Sequence, residues 1–126
     1  MDIQRICSEV VQATKKFAYV EAHPTGNGGV FVKAVMQTTA GNTYFAAIHF
    51  ANYPSQMPKV FITKPDLQGG VPHKYIDGNL CYLHPNMWNP GRHDLTFVLG
   101  HTAKWLNKYE VWRQNGGRWP GASLRH

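Results

Sequence analysis

After Pro65 the sequence shows no regular hydrophobic period for about 28 residues, a length that compact domains seldom leave without helix or strand. Such a stretch is usually either functional or mobile, and the elements on both sides of it must form the core. Cys81 lies inside it, in the turn-rich segment Pro72-His73-Lys74-Tyr75-Ile76-Asp77-Gly78-Asn79-Leu80-Cys81-Tyr82. We therefore expect the chemistry of this chain to lie in that segment.

Cys81 follows a loop that carries a histidine, an aspartate and a glycine. A cysteine in such polar and partly exposed surroundings can reach the thiolate state, and the thiolate is the nucleophilic form. Against this, free cysteine is among the most buried residue types and commonly packs as a small hydrophobic side chain. The surrounding sequence favours the first interpretation, and we take Cys81 as the predicted chemical centre.

Residues 2–17 have the spacing of an amphipathic helix, with Asp2 as the predicted N-cap. The predicted buried face consists of Ile3, Ile6, Cys7, Val10, Val11, Thr14 and Phe17. Cys7 is therefore interpreted as a packing residue.

The middle of the chain is rich in β-branched and aromatic residues and predicts three strands. Residues 30–36 and 43–50 flank the turn Ala40-Gly41-Asn42 and indicate an antiparallel hairpin. Residues 59–63 add a third strand after a proline-punctuated link, and residues 23–29 are predicted as a loop. The expected result is a β-meander that follows the first helix.

A long C-terminal helix is predicted from Asp94, a good N-cap, to about Gln114, where Asn115-Gly116-Gly117 ends it. Its predicted apolar face consists of Leu95, Val98, Leu99, Thr102, Leu106 and Tyr109, with Trp105 and Trp112 beside it. Aromatic residues in such a stripe belong to a core more often than to a binding surface. The tail, residues 118–126, is predicted to be non-helical, and the fold class is α+β.

Length and charge restrict the class of partner. With 126 residues the chain is expected to form one domain, residues 1–126, with a core of moderate size. The formal charge of +6 suggests acidic partners, but the 13 Lys and Arg residues are spread along the chain without a basic block. A solvated basic surface, which favours an acidic protein partner or merely solubility, is therefore expected rather than a nucleic-acid groove.

The expected location is the cytoplasm. The two cysteines lie far apart in sequence, and no secretory signal precedes them. No apolar run approaches the roughly 20 residues needed to span a bilayer, so no membrane contact is expected.

Three pieces of sequence, in order and at compatible distances, resemble the ubiquitin-conjugating enzymes. They are Tyr53-Pro54-Ser55-Gln56-Met57-Pro58-Lys59-Val60-Phe61, Gly78-Asn79-Leu80-Cys81 and Trp88-Asn89-Pro90. The resemblance covers about residues 1 to 114. It implies the fold of that family, namely an N-terminal helix, an antiparallel β-meander, a long active-site loop and a C-terminal helix, here in a minimal version.

The same resemblance implies that Cys81 is catalytic and lies in an ordered segment. It also implies that the first helix helps to engage an activating enzyme, with Arg5, Lys15 and Lys16 as the exposed candidates. Simple solvation is the more frequent role of such surface residues.

A second pattern is similar to bacterial relatives of the ubiquitin-conjugating enzymes. It consists of Pro72-His73-x-Tyr75-x-Asp77-Gly78-x-Leu80-Cys81, Trp88, Trp105-Leu106-x-x-Tyr109-Glu110-x-Trp112, Gly117-x-Trp119-Pro120-Gly121 and His126. Those relatives occur beside activating-enzyme-like proteins in antiphage operons, including the cyclic-oligonucleotide signalling systems (CBASS). This resemblance implies a role in bacterial antiphage defence.

The chain departs from the family at the tripeptide His-Pro-Asn, whose asparagine lies eight residues before the cysteine and steadies the oxyanion. That position is His73 here, and the tripeptide His84-Pro85-Asn86 follows Cys81, which we interpret as coincidence. The resemblance implies that His73 either donates to the oxyanion or acts as general base for the incoming amine. Asp77 would orient His73 or lower the pKa of an incoming lysine, although an Asp-Gly pair more often serves plain turn chemistry.

The implied activity is transthiolation. Cys81 would take the acyl group of a ubiquitin-like or other glycine-ended modifier protein from an activating-enzyme-like protein and pass it to an amine of a target protein. This chemistry needs neither a metal nor an organic cofactor on this chain.

Two other classes stay open. Cys81 and His84, with His73 or His93, contain the usual zinc ligand types, but Cys-x-x-His is only half a zinc motif and has no second pair. The chain could also be a catalytically inactive module that binds a ubiquitin-like protein or an activating enzyme. The presence of Gly-Asn-Leu-Cys argues against that, because inactive relatives characteristically lack the cysteine.

Overall fold

Both helices pack on one face of a four-stranded antiparallel sheet in a computed structural model that describes residues 1–121. The elements follow in the order α1 (Ile3–Ala13), β1 (Tyr19–Pro24), β2 (Val30–Gln37), β3 (Thr43–His49), β4 (Lys59–Lys64), a 3₁₀-helix (Pro85–Met87) and α2 (Leu95–Gln114). The sheet has the order β1-β2-β3-β4, so each strand pairs with its neighbour in sequence. The α+β prediction and the meander are confirmed. His126 of the second sequence pattern and residues 122–126 of the predicted non-helical tail lie outside the described residues.

Alternation of side chains along the strands separates the inner from the outer face of the sheet. In the central pair, Val32 lies opposite Ile48, and both side chains are fully buried. The buried inner positions are Val20, Val32, Ala34, Met36, Tyr44, Ala46, Ile48 and Val60. This face forms the floor of the core.

The predicted C-terminal helix is confirmed as α2. Its N-cap is Asp94, whose carboxylate accepts a hydrogen bond of 2.9 Å from the backbone N–H of Phe97. The predicted apolar residues are all buried, and Tyr109 packs edge-on against Tyr44 of β3 at a ring-centroid distance of 6.4 Å. Glu110 is buried beside them, where its carboxylate accepts 2.6 Å from the Tyr44 hydroxyl.

The first helix is present and Asp2 caps it as predicted, but it ends at Ala13. Of its predicted buried face, Ile6, Val10 and Phe17 belong to the core or pack against it. The prediction was wrong for the remaining four side chains, which are exposed: Ile3, Cys7, Val11 and Thr14. Cys7 is therefore a surface thiol and not a packing residue.

A half-buried carboxylate explains this orientation of α1. Glu9 points inward, where it accepts hydrogen bonds from the Tyr53 hydroxyl and, at 2.8 Å, from the backbone N–H of Leu95 at the start of α2. Arg5 pairs with Glu9 and donates 2.9 Å to the carbonyl of Pro90. Arg5, predicted to be exposed, is therefore engaged within the fold.

The strand β1 was not predicted, and residues 23–24 were assigned to a loop. Proline is unfavourable in a central strand because it cannot donate to the ladder, but β1 is an edge strand and Pro24 is its last residue. The loop prediction holds for residues 25–29 only.

Between β4 and α2 the described chain contains only the short 3₁₀-helix and an isolated bridge between Lys74 and Leu80, as the missing hydrophobic period predicted. None of the helices within residues 1–121 combines the length and apolarity that a membrane crossing requires.

Candidate functional site

Two backbone hydrogen bonds hold Cys81 in the segment between β4 and α2. The N–H of Leu80 donates 2.8 Å to the carbonyl of Val60 in β4, and the N–H of Cys81 donates 2.8 Å to the carbonyl of His73. The bridge between Lys74 and Leu80 closes the intervening residues into a small hairpin. Cys81 is thus attached to the sheet on one side and to the hairpin on the other.

The tip of the hairpin is a tight turn built around Asp77 and Gly78. The N–H of Gly78 donates 2.9 Å to the carbonyl of Tyr75, and Gly78 has a φ of 94°, which favours glycine. Asp77 accepts 3.0 Å from the backbone N–H of Asn79 and pairs with Lys59 at 3.0 Å. These contacts, the backbone hydrogen bond first, lower the pKa of Asp77 to about 2.

The contacts of Asp77 bear on its predicted roles. One carboxylate oxygen faces Asn79 and the other faces Lys59, so the described bonds of Asp77 do not run to the His73 ring. The structure places Asp77 as the residue that shapes the turn, which is the plainer of the interpretations of the Asp-Gly pair.

His73 reaches Cys81 through its main chain. Its carbonyl accepts the Cys81 N–H and also, at 3.0 Å, the indole N–H of Trp105 in α2. Its ring lies 5.0 Å from the ring of Trp119. Burial, and to a smaller extent the charge of Lys108, lowers the pKa of His73, which favours the neutral form of the imidazole.

The Cys81 residue is only 5% exposed, so the expectation of a partly exposed cysteine was wrong. Its Sγ lies 3.5 Å from the hydroxyl oxygen of Tyr75 and 3.9 Å from the carbonyl oxygen of Leu83. Burial raises the pKa of the Cys81 thiol, because a low-polarity environment disfavours the thiolate, and the hydrogen bond from Tyr75 offsets part of that rise.

Tyr75 also lies at this site, although the sequence predicts no role for it. The hydrogen bond to Cys81, with a smaller effect of burial, raises the pKa of Tyr75 to about 12, so its hydroxyl stays protonated and can donate. The signal in the sequence was the Asp77-Gly78 turn, which folds Tyr75 back towards the cysteine six residues later.

The tripeptide His84-Pro85-Asn86 has a local role. His84 caps the 3₁₀-helix, and its Nδ1 accepts 3.2 Å from the N–H of Asn86. Over residues 1–121, no three His, Cys, Asp or Glu side chains come together in a way that could hold a metal ion.

The sequence matches a protein-family model. A family model described as "Type II CBASS E2 protein" matches residues 9–126, a range that includes the hairpin, Cys81 and α2. No curated protein sequence matches the chain.

Proposed function

We propose a thioester-carrier role for Cys81, starting from the fact that the chain belongs to the type II CBASS E2 protein family. Membership gives the chain an E2-like role in CBASS antiphage defence. The proposal adds the residue and the reaction. Its partners would be an activating-enzyme-like protein, a ubiquitin-like or glycine-ended modifier protein and a target protein.

The first step is attack of the Cys81 thiolate on the carbonyl carbon of a thioester held by the activating protein. A new S–C bond forms, the bond to the activating protein's sulfur breaks, and that sulfur leaves as a thiolate and takes up the proton that Cys81 lost. In the second step an amine of the target attacks the same carbonyl carbon. An N–C bond forms, the S–C bond to Cys81 breaks, and the proton that the amine loses ends on the Cys81 sulfur.

The observation that carries this proposal is the Tyr75 hydroxyl 3.5 Å from Cys81 Sγ. A hydroxyl that stays protonated to about pH 12 stabilises the thiolate before attack and again when the thiolate leaves. Structural cysteines in a core have no need of such a donor.

His73 and Asp77 have supporting roles in this proposal. A neutral His73 ring can donate an N–H to the developing oxyanion or accept a proton from the target amine. Asp77 holds the turn that carries Tyr75, through its bonds to Asn79 and Lys59.

The test is incubation of the purified chain with ATP, the activating-enzyme-like protein and its modifier, analysed on a non-reducing gel. We expect a shifted band that reductant removes and that the Cys81→Ala variant does not form. Cys81→Ser should form a band that resists reductant, because an ester replaces the thioester. Cys7 provides a matched control, since it is the other thiol of the chain and is exposed, and Cys7→Ser should form the same band as the wild type.

The second candidate is a binding module without thioester chemistry, favoured by the burial of Cys81 and the raised pKa of its thiol. Stable binding of the activating protein to both the wild type and Cys81→Ala, without a reductant-sensitive band in either, would establish this alternative and exclude the carrier.

A further inference from the structure

The chain reverses direction after α2 and returns along it. We call residues 115–121 the C-terminal strap. Gly116 and Gly117 have φ values of 76° and 93°, and the N–H of Gly117 donates 3.1 Å to the carbonyl of Trp112. The N–H of Arg118 donates 3.1 Å to the Asn115 side chain. Two successive left-handed glycines make the reversal sharp, as is common at helix C-termini.

The reversal brings Trp119 back to the middle of α2. Its ring centroid lies 5.3 Å from that of Trp105, which is 3% exposed, and 5.0 Å from the ring of His73. Trp119 thus contacts both α2 and His73, the residue that precedes the hairpin. Aromatic pairs at these distances contribute beyond the area that they bury.

His73 is the one residue other than glycine with a positive φ, 58°, among residues 1–121. A β-carbon makes this conformation unfavourable, and such residues persist only where their surroundings hold them. Among the groups in contact with His73 are the indole N–H of Trp105, which donates to its carbonyl, and the ring of Trp119, which lies beside its own ring. The same carbonyl accepts the Cys81 N–H.

We propose that Trp119 is a positioning residue for Cys81, because it holds His73 in the left-handed conformation from which the His73 carbonyl anchors the Cys81 N–H. Trp119 thereby becomes part of the site, although it is distant from Cys81 in sequence. The importance of this for acyl transfer rests on the proposed function, but the anchoring itself does not.

The test measures the alkylation of Cys81 by iodoacetamide as a function of pH, followed by intact mass in a Cys7→Ser background. No partner protein is needed, so the result is independent of thioester formation. Loss of Trp119 should release His73 and loosen the Cys81 segment. We expect Trp119→Ala to raise the alkylation rate near neutral pH by at least about threefold, as local opening exposes the thiol.

Two variants separate anchoring from a general loss of structure. Trp119→Phe keeps an aromatic ring against His73 and should restore the wild-type pH profile. Arg118→Ala removes an exposed strap side chain for which no contact with His73 is described and should leave the profile unchanged. Circular dichroism and thermal unfolding check that each variant is folded.

His73→Gly provides the decisive background, because glycine adopts a φ of 58° without being held. In that background Trp119→Ala should change the alkylation rate by less than about 1.5-fold. The two substitutions are then non-additive, as expected if Trp119 acts on Cys81 through His73. A wild-type profile in Trp119→Ala, or an equal effect of Trp119→Ala with and without His73→Gly, would overturn the proposal. Normal alkylation behaviour without any thioester band would overturn the proposed function alone.

Discussion

Removal of the Tyr75 hydroxyl tests the chemistry of the site most directly. In Tyr75→Phe the ring remains, and the only group lost is the hydroxyl that lies 3.5 Å from Cys81 Sγ. The backbone N–H of Tyr75, which donates 2.9 Å to the carbonyl of Asn79, is unaffected. The turn should therefore keep its shape while the thiolate loses a donor.

The magnitude follows from the worth of a hydrogen bond to a charged acceptor, about 1.5–3 kcal/mol. At 3.5 Å to sulfur the lower end applies, and 1.36 kcal/mol corresponds to one pKa unit. We therefore expect the pKa of Cys81 in Tyr75→Phe to rise by about one unit. The thiolate fraction below the pKa then falls about tenfold, while the remaining thiolate becomes about threefold more nucleophilic, for a net loss of about threefold in rate.

The assay is again the pH profile of Cys81 alkylation in the Cys7→Ser background. The variant should react about threefold more slowly than the parent near neutral pH and about threefold faster on the plateau at high pH, so that the two profiles cross. If the thiol only became less accessible, the alkylation rate would fall both near neutral pH and on the plateau. If the Cys81 segment only became more mobile, the rate would rise in both regions.

Tyr19→Phe is the matched control, since Tyr19 is an exposed tyrosine of β1 whose hydroxyl donates to Glu21. Its profile should coincide with that of the parent. If Tyr75→Phe also coincides with the parent, the Tyr75 hydroxyl does not act on the thiolate and the reasoning is refuted.

Three further predictions concern stability. Glu9→Ala should lower the free energy of unfolding in urea by about 2–4 kcal/mol, because it leaves the Tyr53 hydroxyl and the first N–H of α2 without their acceptor. Gly117→Ala should lower it by about 1 kcal/mol, because its φ of 93° is strained for a residue with a β-carbon. Asp77 has a folded-state pKa of about 2, below the value of about 3.9 expected when unfolded, so it stabilises the fold above about pH 4 and this contribution is lost as the pH falls through 2. The melting temperature of the wild type should therefore fall more steeply between about pH 4 and pH 2 than that of Asp77→Asn.

Each of these changes has a control elsewhere in the chain. Glu21→Ala removes an exposed carboxylate and should cost less than about 0.5 kcal/mol. Gly69→Ala adds a β-carbon with no heavy atom within 4 Å and without a positive φ, and should be nearly neutral. Asp66→Asn, at an exposed carboxylate, should not reproduce the altered acid response. A control that matches its test variant would contradict the corresponding assignment.

The helix ends and the strand interiors were predictable because local rules decide them. Asp94 caps α2, and the apolar stripe that follows it is buried as expected. Which face of α1 is exposed was not predictable, because hydropathy alone predicts that Ile3 and Val11 are buried, and both are exposed. Glu9 is directed inward by partners more than 40 residues away in sequence, and no local pattern reports them.

The site was predictable in position but not in geometry. The turn residues around Cys81 marked the segment, yet its order depends on bonds to distant elements. The N–H of Leu80 pairs with Val60 of β4, the N–H of Gln68 with the hydroxyl of Tyr109, and the carbonyl of His73 with Trp105. These bonds satisfy backbone groups that would be paired locally in a helix or a hairpin. A segment without regular secondary structure can therefore still be ordered.

Burial of Cys81 slows both steps of the proposed reaction, because it raises the pKa of the thiol. Each unit by which burial raises the pKa of the thiol slows attack by about threefold, because higher nucleophilicity offsets about half of the tenfold loss of thiolate on a logarithmic scale. A thiol of higher pKa is also a poorer leaving group, so the acyl group on Cys81 is lost more slowly to water. The Tyr75 hydroxyl acts against both effects, because it stabilises the thiolate. In the proposed reaction, burial and the hydrogen bond to Tyr75 would therefore both affect how readily Cys81 is loaded and how long it stays loaded.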